Sequence, residues 1–84
     1  MTAKLPDARL KWQCRRGMRE LDELLSAYLE CRFAHAAGTE QQAFRELLAL
    51  PDALLIDYLL VGREATDPDL AHVIRQVCLR TQSL

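Results

Sequence analysis

The amino-acid sequence predicts an all-α fold, a compact five-helix bundle in a single domain over residues 1–84 with an ordered core of about 8–80. Three observations predict it. Apolar residues recur at i, i+3, i+4, i+7 and i+8 in two places, once as Leu21, Leu24, Leu25, Tyr28 and Leu29 and again as Leu70, Val73, Ile74, Val77 and Cys78; this is the stripe of a helix laid on a core. Gly17, Gly38, Pro51, Gly62 and Pro68 divide the chain into pieces of helical length, each at a residue that ends or starts helices. No stretch alternates apolar and polar residues over the length of a strand, and no segment is repetitive or low in complexity.

Taken in order, Pro6-Asp7 is a helix start with Asp7 as N-cap, and helix one covers Ala8 to Arg15 before Gly17. Helix two begins at Arg19 and frays between Arg32 and Gly38, where Gly38 is a C-terminal stop and Thr39-Glu40-Gln41-Gln42 reads as a capping box. Helix three turns Phe44, Leu47 and Leu48 inward until Pro51 breaks it. In helix four Leu55, Tyr58 and Leu59 share one face, with Ile56 and Leu60 on a neighbouring one, so it is expected to be apolar over much of its girth and central, ending at Gly62. Asp67-Pro68-Asp69 caps helix five, and Arg80 to Leu84 is a frayed tail.

With 84 residues, half of them hydrophobic, the chain holds one core, and a domain this small buries only roughly 60% of its unfolded surface. That leaves little interior for a deep catalytic cavity and points to function on a surface. The apolar run Ala53 to Ile56, closed by Asp57, is far too short to span a bilayer. The N-terminus has neither a signal-like apolar region nor an acid-free presequence, so a cytoplasmic location is expected.

Catalytic patterns are missing from the sequence: no Gly-x-Ser-x-Gly, no Gly-x-Gly-x-x-Gly and no phosphate loop, with only three glycines. His35 and His72 lack partners at metal-ligand spacing and read as surface histidines. Cys14, Cys31 and Cys78 are odd in number and widely spaced, which fits reduced thiols rather than a disulfide framework or a zinc site. Cys78 reads as a small apolar residue, while Cys14 stands among arginines that would lower its pKa.

The net charge is −1, yet Lys4, Arg9, Lys11, Arg15, Arg16 and Arg19 gather 6 of the 11 basic residues into the first segment. Within it Trp12, the only tryptophan, lies near Arg15, Arg16, Gly17, Met18, Arg19 and Glu20. Gly17 permits a left-handed or tight bend and close approach by another surface, and Arg16 and Glu20 flank it with opposite charges. Tryptophan and arginine are the residues most enriched in binding hot spots, and Met18 adds an adaptable apolar contact. The same residues also fit a plainer arrangement, an i, i+4 Arg16–Glu20 ion pair beside a helix breaker with Trp12 in the core. Nucleic-acid binding is disfavoured, because the charges are few and no helix-turn-helix follows.

The run Trp12-x-Cys14-Arg15-Arg16-Gly17-Met18-Arg19-Glu20-Leu21-Asp22 closely resembles the signature of the succinate dehydrogenase flavinylation factors, the FAD assembly factor family, whose hallmark is Arg-Gly-x-x-Glu. Phe44, Leu47 and Leu48, then Pro51-Asp52 and the Leu55 to Gly62 segment, are similar to the family's second half, so the resemblance covers roughly residues 8–80. It implies a non-enzymatic monomer, without a cofactor of its own, that binds the flavoprotein subunit of succinate dehydrogenase, and in some bacteria of fumarate reductase, and promotes covalent attachment of FAD to a histidine there. It also implies a contact surface of Arg16, Gly17 and Glu20, with Trp12, Arg15, Met18 and Arg19 nearby. The chain departs from the family pattern after Asp52, where Ala53-Leu54 replaces a proline and an acid, which would extend helix four by a turn or alter an outlying contact. An antitoxin role, a label that family members have also carried, predicts another protein partner for the same surface.

Overall fold

The computed structural model describes residues 8–82, with side chains as far as Leu79. These residues form five α-helices and no strand: α1 Ala8–Gln13, α2 Arg19–Cys31, α3 Gly38–Leu48, α4 Asp52–Leu55 and α5 Pro68–Gln82. A short 3₁₀ turn, Phe33–His35, links α2 to α3, and α4 runs directly into a π-helical segment, Ile56–Val61. Helix α5 packs against both α2 and α3. The two apolar stripes meet in the core, where Leu21, Leu25, Tyr28, Val73 and Val77 are fully buried with Phe44, Leu47 and Leu55.

Several element ends differ from the sequence expectation. The Asp7 cap lies outside the described residues. Helix one stops at Gln13 rather than Arg15, because the Cys14 N–H is shared between the Leu10 and Lys11 carbonyls and the Arg15 N–H bonds to Trp12, tightening the last turn. The expected capping box does not form. Gly38 is the first residue of α3 and not a stop for α2, and Ala37 occupies the N-cap position with extended backbone and no side-chain cap. Thr39 therefore lies inside the helix and not at its cap, and Gln42 Nε2 reaches Glu46 Oε2 at 3.5 Å instead. Helix four is not central: after Leu55 and Leu59 turn inward, Leu60 and Val61 are 41% and 72% exposed. The helix starts at Asp52 with Ala53-Leu54 inside it, and the Leu54 and Leu55 N–H groups bond to the Pro51 carbonyl. It ends where the Gly62 and Arg63 N–H groups both reach the Asp57 carbonyl, with Gly62 at φ 98°, a left-handed geometry that favours glycine. Helix α5 runs to Gln82, past the point where a frayed tail is expected. Its cap is as predicted, the Leu70 N–H donating to Asp67 Oδ2 at 2.9 Å.

One polar group holds the centre of the bundle. Glu40 on α3 is 5% exposed, yet each carboxylate oxygen has protein partners. The Tyr28 hydroxyl and Arg32 Nε both donate to Oε2 at 2.6 Å, Arg32 Nη2 lies 3.0 Å from Oε1, and His72 Nε2 of α5 lies 2.8 Å from the same atom. Helices α2, α3 and α5 are thereby tied through one carboxylate. The Arg32 hydrogen bonds, assisted by Tyr28 and His72 and opposed by burial, hold the Glu40 carboxyl down at about 2. Burial and the same carboxylate push the Tyr28 phenol well above its ordinary value. His72 is a surface histidine as expected, 46% exposed, and its ring also reaches the Glu40 carboxylate. Beside this cluster Tyr28, Phe33 and Phe44 form an aromatic group, with the Tyr28 and Phe44 rings 4.5 Å apart and Arg45 5.4 Å over the Phe33 ring.

A carboxyl whose folded pKa lies below its ordinary value of 4.5 stabilises the fold above that value, and the contribution is lost as pH falls from about 4.5 through about 2. Glu40→Gln should remove that part of the acid dependence, and Glu40→Ala, which strands the Tyr28 hydroxyl, should lower stability by about 2–3 kcal/mol. Urea unfolding between pH 2 and 7 checks both; an unchanged acid limb in Glu40→Gln would show that Glu40 does not carry the linkage.

Candidate partner-docking site

The corner between α1 and α2 is built from alternate inward and outward side chains. Leu10 and Cys14, one helical turn apart, are 4% and 0% exposed and pin α1 to the core. Trp12, two residues from each, is directed the other way and is 72% exposed. The structure thus puts the only tryptophan on the surface and not in the core. Lys11 and Arg15 are exposed beside it and, with Ala8 and Trp12, line a shallow groove of about 330 Å³. They also border a second groove of about 210 Å³ with Ser26, Leu29 and Glu30.

Gly17 has φ 84°, as a tight bend requires, and a Cβ built there would meet nothing within 4 Å. The glycine is needed for its backbone and leaves open space in front of it, so a partner can approach closely. Met18 is extended at the N-cap of α2, half-buried against the core, without a side-chain cap. Asp22, one turn into α2, instead ties down the bend before the helix, its Oδ1 accepting the Arg16 backbone N–H at 2.6 Å.

Arg16 is not paired with Glu20. Its side chain, 19% exposed, crosses to the α3–α4 corner, where Nη2 donates to the Leu48 carbonyl and, at 3.5 Å, to the Leu50 carbonyl, and Nη1 lies 3.5 Å from Asp52 Oδ1. The cause is local. The last carbonyls of a helix have no intrahelical donors, Pro51 brings no N–H to answer them, and a guanidinium fork satisfies two carbonyls and a carboxylate together. Arg16 Nε remains buried without an acceptor. Glu20 is exposed and in no ion pair among the described residues, whereas Arg19 lies 3.5 Å from Glu23 in an open i, i+4 pair of little energetic weight.

Cys14 is not the activated thiol that its arginine neighbours suggest. Burial pushes it up to about 11, against the pull of Arg16 and with a further push from Asp22. Cys78 is raised by burial as well, and Cys31 is exposed. Among the described residues no group of three or more His, Cys, Asp or Glu is placed to hold a metal ion. The structure therefore leaves Trp12, Arg15, Gly17, Arg19 and Glu20 exposed along the segment that joins α1 to α2 and turns Arg16 inward as its brace. Asp22 and Asp52 are the partners that sequence reasoning missed. Asp22 stood inside the signature run, and Asp52 directly after a helix-breaking proline, but neither position shows which group 6 or 36 residues away it will meet.

The fold and this corner define a small helical interaction module, with an exposed aromatic and basic edge and an unpaired carboxylate set on a braced bend. The chain belongs to the flavinator of succinate dehydrogenase family, whose model matches residues 8–80. Its relatives include the FAD assembly factor SdhE of Coxiella burnetii, 36% identical over 77 residues that cover 92% of this chain and 94% of the relative. That of Yersinia pestis is 34% identical over 90% of this chain and 86% of the relative, and that of Methylococcus capsulatus 46% identical over 75% and 76%. No solved structure matches the chain.

Iodoacetamide at pH 8 should modify Cys31 in the native protein and leave Cys14 untouched until denaturant is added. Peptide mass spectrometry reads the order; rapid native labelling of Cys14 would contradict its burial.

Proposed function

We propose that this chain is an assembly factor that binds the flavoprotein subunit of succinate dehydrogenase and promotes covalent attachment of FAD to a histidine of that subunit. The observation that carries the reading is the Arg16-Gly17-x-x-Glu20 corner, with Gly17 and Glu20 exposed and Arg16 turned inward as a brace, in a chain that belongs to the flavinator family. The proposal extends to the flavoprotein subunit of fumarate reductase, and to a monomeric, cytoplasmic protein acting as one domain without a bound cofactor. No helix among the described residues is long and apolar enough to cross a membrane. None of the three relatives named above is described as an antitoxin, so the flavinylation reading is preferred.

The factor does no bond chemistry in this mechanism. It binds more tightly to the flavoprotein conformation in which the histidine and the flavin are aligned, and that difference in affinity shifts the population toward the reactive geometry. Glu20 offers a free carboxylate as acceptor and negative charge, and Gly17 lets the partner's backbone come close. Met18, Arg19, Trp12 and Arg15 frame the contact. Arg16 works indirectly, because its donors are already engaged by Leu48, Leu50 and Asp52.

The test is covalent flavin fluorescence of the flavoprotein subunit in a denaturing gel, from cells with and without this protein. The band should depend on the protein and weaken with Glu20→Ala, while that variant keeps its stability within about 0.5 kcal/mol, as expected of an exposed, unpaired residue. A band of equal intensity throughout would refute the reading and favour a different protein partner.

A further inference from the structure

The residues along α1 carry a charge pattern of their own. Arg9, Lys11 and Arg15 are exposed, and among the described residues none of the three is in an ion pair. Lys11 on α1 and Arg15 in the turn that follows it line the same groove as Trp12, which among the described residues is, with Val61, the most exposed of the large apolar side chains. On the neighbouring helix Glu20 and Glu30 are exposed acids in no ion pair among the described residues, and Glu30 borders the second groove of Lys11 and Arg15. Two unpaired positive charges, Lys11 and Arg15, thus border the indole's groove, which is lined by no acid.

We propose that the Lys11–Trp12–Arg15 edge recognises an acidic patch with an apolar centre on the partner protein: the indole seats in the apolar slot, Arg15 grips a carboxylate with its two-pronged guanidinium, and Lys11 supplies a second positive charge. This rests on the reading that the chain docks on a flavoprotein subunit, and names the chemistry that the subunit must present. Desolvated tryptophan and arginine are the residues that anchor interfaces, and unpaired surface cations steer encounter with a surface of opposite sign. A nucleic-acid phosphate track fits less well, because it would run past the α2 carboxylates and the chain as a whole carries a net charge of −1.

Association with the purified apo-flavoprotein subunit, followed by biolayer interferometry over a range of salt concentrations, tests the proposal on the full chain. The doubly reversed variant Lys11→Glu/Arg15→Glu should associate roughly tenfold or more slowly at low salt and lose most of the salt dependence of its on-rate. Trp12→Ala should dissociate roughly tenfold or more faster with the salt dependence retained. Circular dichroism should show both variants as helical as the original, since all three side chains are exposed. Wild-type on-rate and salt slope in the reversed variant would overturn the electrostatic half, and an unchanged off-rate in Trp12→Ala the apolar half. Tight, salt-steep binding of a mixed-sequence DNA duplex that the reversal abolishes would overturn the choice of partner. Failure of the unmodified chain to bind the flavoprotein at all would refute the functional reading, and is distinguishable from these outcomes because it precedes any effect of substitution.

Discussion

The bend between α1 and α2, the proposed docking corner, depends on a guanidinium that is turned inward. Arg16 leaves the bend between α1 and α2 and ends among the carbonyls of Leu48 and Leu50 and the carboxylate of Asp52. Two connections far apart in sequence are thereby held against each other. Leu10 and Cys14 hold α1 on the core and the leucine stripe holds α2, and the brace adds the bend at Gly17 between them to the fixed structure. The side chain keeps its buried Nε unpaired and gains three other contacts, an arrangement in which polarity is directed to one task.

Behind the corner, the bundle is organised by a second buried charge. Glu40 collects Tyr28 and Arg32 from α2 and its C-terminal end and His72 from α5. Such a cluster is costly to leave incomplete, so it defines how α2, α3 and α5 are registered beyond what packing of leucines alone would specify. The two polar centres divide the work: the Glu40 cluster sets the relation of the long helices, and Arg16 sets the relation of the connections that the helices leave at one end. The chemistry proposed for the partner then needs no moving part in this chain, only a rigid surface whose affinity differs between two conformations of the flavoprotein.

Much of this fold could be read in advance, and the reasons for the failures are physical. The stripes of α2 and α5 were legible because burial on one face leaves a 3.6-residue period, and the Asp67 cap and the Gly62 stop because their backbone geometries admit few residue types. Glu40 was not legible. It stands as an intervening residue of the Thr39-to-Gln42 pattern with no local signal of its own, and its partners lie 8, 12 and 32 residues away. Periodicity also overstated helix four, since the wider π turn after Leu55 rotates Leu60 and Val61 out to solvent. For the corner, residue types marked a candidate surface and equally fitted a plain ion pair beside a helix breaker, and resemblance to a family supplied the function. The direction of each side chain had to come from the structure, which exposed Trp12, buried Cys14 and turned Arg16 inward.

The most direct test of the account is urea unfolding of Arg16→Lys beside the unmodified chain. Lysine keeps the positive charge but lacks the planar fork that reaches two carbonyls and a carboxylate together. The brace predicts a loss of about 2 kcal/mol, close to that of Arg16→Ala, because hydrogen bonds from a charged donor to partly buried acceptors are what disappears. If Arg16→Lys is as stable as the original, the guanidinium is not what holds the corner, and Arg16 must instead be counted among the residues that face the partner.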